Sequence, residues 1–156
     1  MNEILIPISN KEFKEKVTIR FNSINDGFNN YNNKTIEGTE EAFISFLQEA
    51  FELNGEDNAY VDFYYNILSE EDKQRLKSLI NDEDNLTLEN FEKNYHEESI
   101  PFITRLSTRE ILFSTIYFTK YPCTIWGNYN KSFPIFYHDN NDIQQYLNIK
   151  NELQFF

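Results

Sequence analysis

A chain of 156 residues with 26 Asp and Glu against 14 Lys and Arg has a formal net charge of -12, which argues against contact with phosphate backbones, since these demand Lys and Arg. Cys123 is the sole cysteine, so an internal disulfide and a multi-cysteine zinc site are excluded, and a reducing compartment is expected. Hydrophobic content of 40% with 15 Phe and 10 Tyr suffices for one core without staples, and four Gly and four Pro speak against a turn-dense sandwich or a disordered chain.

The start, "MNEILIPISNKEF", carries an acid at position 3 and an apolar run broken by Pro7, unlike a signal or transit peptide. No stretch reaches the length of a membrane span, and a cytoplasmic location is expected. "EILIPI" is a short strand whose proline fits only an edge or an end. "VTIRFNSI" alternates, with Val17, Ile19, Phe21 and Ile24 facing one way and Thr18, Arg20 and Asn22 the other, which predicts a half-buried strand. "NDGFNNYNNKT" then reads as a turn and an exposed loop.

Thr39 caps a predicted helix over 40–53, with Glu40 and Glu41 in its first turn, Phe43, Phe46, Leu47, Ala50 and Phe51 as its buried stripe, and Asn54-Gly55 as its stop. Ser69 before Glu70-Glu71-Asp72 repeats the cap for a helix to about Ile80. The aromatic run between them, within 56–68, fits helix and strand equally. Thr87 followed by Leu88, Phe91 and Tyr95 predicts a third short helix.

From Ser99 onward β-branched and aromatic residues take over. "STRE" at 107–110 has the form of a capping box, so 108–120 reads as a buried helix slightly better than as a strand, although "ILFSTIYF" shows no clean face in either period. "CTIW" and "FPIFY" flank Gly127 to Lys131 as the arms of a hairpin, with Trp126 and Phe136 expected in the core. "NNDIQQYLN" predicts a terminal helix and "LQFF" a last edge segment.

Catalytic constellations are sparse. His138-Asp139 close to Cys123 outlines a nucleophilic triad, but nothing in the sequence stabilises the thiolate. His96 has no second histidine at helical spacing. Asn81, Glu83, Asn85 and Glu92 echo a calcium loop, yet Leu86 stands where such a loop needs glycine. Asp57 and Asp62 lie among tyrosines without a scaffold for a sugar cleft, and no phosphate loop, nucleophile elbow or metal-protease helix is present. No enzyme activity, metal or cofactor is expected.

The charge is concentrated. Residues 1–36 hold 5 bases and 4 acids, residues 37–98 hold 4 and 18, and residues 99–156 hold 5 and 4. The expected fold is therefore α+β, a single domain over 1–156, with a helical and strongly acidic middle (about 38–96) packed on a small, mostly antiparallel sheet from the N- and C-terminal segments. An acidic face of Glu40, Glu41, Glu49, Glu52, Glu70, Glu71 and Asp72 would meet a basic protein partner, with no direct nucleic acid and no membrane involved. This physical class points to an immunity protein or antitoxin that neutralises a basic nuclease toxin stoichiometrically. The alternatives are a phage anti-defence inhibitor that mimics nucleic-acid charge and, third, a small enzyme of unknown chemistry.

Overall fold

The computed structural model describes residues 5–7, 9–63, 69–71, 74, 92–95 and 99–156. The strands are β1 (Leu5–Pro7), β2 (Asn32–Glu37), β3 (Ala59–Phe63), β4 (Glu92–Tyr95), β5 (Ser114–Phe118), β6 (Cys123–Trp126), β7 (Ser132–Tyr137) and β8 (Gln154–Phe155). They form one sheet in the order β1-β4-β3-β5-β6-β7-β2-β8, with every neighbouring pair antiparallel. Pro7 sits at the end of an edge strand, the place where a sheet tolerates proline.

Helices cover both faces of this sheet. Helices α3 (Glu40–Asn54), α4 (Ile100–Thr108) and α5 (Asn140–Leu147) lie on one side, where Phe43, Phe46, Leu47, Ile103, Leu106 and Tyr146 pack on Val61, Ile116, Ile125, Ile135 and Ile36. On the other side, α1 (Asn10–Lys16) sets Phe13 and Val17 against Tyr60 and Tyr117, and Phe21 stacks on Trp126 and meets Phe136 edge-on. The architecture is mixed helix and antiparallel sheet, in three layers.

Several elements depart from expectation. The alternation over 17–22 is real in burial, since Val17 and Ile19 are buried while Thr18 and Arg20 are exposed, yet this segment joins no ladder. Side chains satisfy its carbonyls instead: Arg20 Nε donates to Val17 O at 2.8 Å, Thr124 Oγ1 to Ile19 O at 2.9 Å, and Tyr31 Oη to Arg20 O at 3.3 Å. An extended chain lying on a sheet has the same period as a strand lying in one. Ile24, assigned to that strand, begins α2 (Ile24–Asn30).

The loop expected over 25–35 is α2 followed by β2. Ser23 caps α2 by accepting from Asp26 N–H, and Gly27 lets the rings of Phe21 and Phe136 close on the helix, because a Cβ there would lie 2.8 Å from Phe21 and 3.0 Å from Phe136. The asparagine-rich β2 owes its conformation to six register pairs with β7 and to Ile36, which is wholly buried.

The middle of the chain is not only helical, because β3 and β4 place part of it inside the sheet. The end of the expected third helix, Glu92 to Tyr95, is strand β4, while Thr87, Leu88 and Phe91 lie outside the described residues, as do residues 72–73 and 75–80 of the second helix and the 81–92 loop up to Phe91. The helix expected over 108–120 is corrected as well. Helix α4 ends at Thr108, Glu110 turns the chain with φ 57°, and β5 follows. All five residues of β5 are buried because helices cover both faces, which explains why its sequence has no period. The hairpin β6–β7, helix α5 capped by Asp139, and the edge strand β8 agree with expectation.

Candidate functional site

Helix α3 carries the best-defined part of the acidic face. The Thr39 hydroxyl accepts the Ala42 N–H at 3.1 Å, and Gly55, at φ 91°, ends the helix with its N–H on Phe51 O. Phe43, Phe46, Leu47, Ala50 and Phe51 are buried against the sheet. Consequently Glu41, Glu49 and Glu52 share the opposite, solvent-exposed face, along about 16 Å of helix at 1.5 Å per residue. Among the described residues none of the three makes an ion pair. Beside Glu41, a cleft of about 400 Å³ is lined by Ser45, Lys150, Asn151 and Glu152. Glu70 and Glu71 are exposed and helical, whereas Asp72 lies outside the described residues.

Glu40 behaves differently from the rest of its set. Its side chain is only 14% exposed and turns toward α4, where Arg109 donates to both oxygens at 2.9 and 3.1 Å and Thr108 Oγ1 donates at 2.7 Å. Arg105 stands 3.8 Å away. Hydrogen bonds from Arg109 and then Thr108 hold the Glu40 carboxyl below its ordinary range, against burial, which works in the opposite direction. Glu40 thus ties α3 to α4, and its charge is met inside the fold. Thr108, Arg109 and Arg105 were missed by sequence reasoning because "STRE" looks like the start of a helix and is in fact the end of one.

The nucleophilic arrangement has little chemical support. Cys123 is buried on the side of α5, and burial drives its thiol well above the ordinary value, with Asp142 adding to the effect and a Tyr146 hydrogen bond opposing it. Such a thiol stays protonated and inert. His138 is exposed on the other side of the sheet, with Nε2 2.9 Å from Thr18 Oγ1 and its ring against Tyr31. The Asp139 carboxylate caps α5 by accepting the Asp142 N–H at 3.0 Å instead of orienting the imidazole. Asp57 is exposed and Asp62 is half-buried in β3, and His96 lies outside the described residues. Among the described residues, no three His, Cys, Asp or Glu side chains are grouped to hold a metal ion. No helix among them is long and apolar enough to cross a membrane.

What the geometry offers is an outward row of carboxylates on a helix anchored by its aromatic stripe. No family model, no curated protein and no solved structure matches the chain.

Proposed function

We propose that the chain is a non-enzymatic, stoichiometric inhibitor of a basic protein, acting in the cytoplasm as an immunity protein or antitoxin acts on a nuclease toxin. The observation that carries this reading is the row of Glu41, Glu49 and Glu52 on the exposed face of α3, free of ion pairs among the described residues. Glu70, Glu71 and Asp72 extend the same acidic stretch of the chain, in which 18 acids stand against 4 bases. Repulsion among so many carboxylates disfavours the compact state, and a cationic cleft on a partner relieves it. The acidic middle is the partner-facing part of a single folded unit.

Exposed charges of this kind act mainly on association rather than on dissociation. Replacing Glu41, Glu49 and Glu52 together by lysine is expected to slow association with the basic partner on the order of tenfold or more at low salt. Wild-type association should itself fall steeply as the Debye length shrinks to about 8 Å at physiological ionic strength. The measurement is stopped-flow association with a partner captured from the native host, or with a basic nuclease encoded beside this chain. A neutral or acidic tightest partner, or equal rates for the two proteins at low salt, sinks the proposal.

A further inference from the structure

We infer that a second contact surface, the hollow beside α4, receives an acidic–apolar peptide segment of a partner protein, with a carboxylate on Arg105 and an adjoining apolar side chain in the hollow. Phe102, Arg105 and Leu106 on α4 and Arg109, the residue just past its end, follow at spacings of three and four, and together with Ile111 they line a hollow of about 210 Å³. The turn that follows closes its end: Glu110 adopts φ 57°, and the N–H groups of Ile111 and Leu112 both bond to Leu106 O. The floor is apolar and its rim carries two guanidinium groups.

These two arginines are not equally occupied. Arg109 is held by the Glu40 carboxylate through two hydrogen bonds and also feels Glu41. Arg105 reaches Glu40 only at 3.8 Å, beyond hydrogen-bonding distance, and its side chain is 47% exposed. The next acid in sequence does not help, because Glu110 Oε2 accepts the Asn130 N–H at 3.1 Å. Glu40, already engaged by Arg109 and Thr108, has little left to offer a second guanidinium. In a chain of net charge -12, Arg105 is a half-exposed cation whose one ion pair is the 3.8 Å approach to Glu40 and whose donor fork makes no hydrogen bond among the described residues.

Charge complementarity selects the occupant. One spare guanidinium matches one carboxylate, which it binds with two parallel N–H bonds. The apolar floor asks for a hydrocarbon side chain next to that carboxylate. A phosphate backbone is disfavoured, since it would bring several negative charges close to Glu40 and Glu41. The inference stands apart from the acidic face of α3, and its test uses no natural partner.

The probe is acetyl-Glu-Leu-amide, titrated into the full 15N-labelled chain and followed by amide chemical shifts. Saturable shifts confined to residues 102–111 are expected, in a roughly millimolar range typical of small fragments. Acetyl-Gln-Leu-amide, which lacks the carboxylate, should bind about tenfold more weakly, and Arg105→Gln should weaken the Glu peptide by a similar factor. No saturable shift, shifts centred elsewhere, or equal affinity for the two peptides overturns the inference. The peptide comparison uses wild-type protein, so it decides the question even if the variant folds poorly.

Discussion

Glu40 shows how one carboxylate can be drawn from a charged surface into the fold's own wiring. Its carboxyl is held below the usual value of 4.5 by the Arg109 hydrogen bonds, while in the unfolded chain that value returns. The unfolded state therefore binds the proton at higher pH than the folded one. The contribution of the clamp is fully present above the ordinary carboxylate range and is lost as pH falls through the lower, folded value. Glu40→Gln is expected to lower the thermal midpoint at pH 7, and the gap from wild type should close as the pH falls below the ordinary carboxylate range and through the lower, folded value. Calorimetry across that range checks it, and a gap that stays constant with pH would show that the clamp acts through shape and not charge. At this scale the sequence was informative about what α3 exposes and silent about Arg105 and Arg109. The helical stripe of α3 separates Glu41 from Phe43 without any tertiary knowledge. The partner of Glu40 lies 69 residues away and is fixed by packing alone.

Elements that carry a local start, stop or turn signal were legible, and elements shaped only by distant packing were not. Helix α3 and the hairpin β6–β7 have local signals, namely a cap, a stripe, and a Gly/Asn stop or turn. Strand β5 is covered on both faces, so its residues are uniformly apolar or small and offer no period to follow. Strand β2 is the converse case, with polar residues made extended by β7. Segment 17–22 has a strand's alternation without a strand's hydrogen bonds. Trp126 was expected in the core, but it is only half-buried, stacked on Phe21 at 5.3 Å between ring centres, because it faces the thinner outer layer. Phe136, in β7 on that same side, has no exposure at all. Phe136→Ala should accordingly cost roughly 3 to 5 kcal/mol by denaturant titration. Acrylamide should quench Trp126 to a degree intermediate between a buried and a free indole. Full protection, or quenching as free as in the unfolded chain, would contradict the packing of Phe21 over it.

Across the whole molecule, the sheet order β1-β4-β3-β5-β6-β7-β2-β8 has a kinetic consequence. The run β5–β6–β7 is a local meander, each strand pairing with the next one along the chain. By contrast, β2 pairs with β7 about a hundred residues away, and β1 reaches β4 across a comparable span. Closing such loops carries an entropic cost that the long-range contacts must offset afterwards. The meander is therefore the natural nucleus, with the two flanks of the sheet knitting on late and the folding time falling in the range of milliseconds to seconds seen for non-local β topologies. Ile125→Val, in the meander, should slow refolding, whereas Ile36→Val, in β2, should chiefly speed unfolding. Stopped-flow fluorescence of Trp126 reports both limbs, and equal slowing of refolding by the two substitutions would refute this order of assembly. Until β7 is made and folded, β2 has no template and Phe43 of α3 lacks the Phe133 ring it packs on, so the first third of the chain waits on the last.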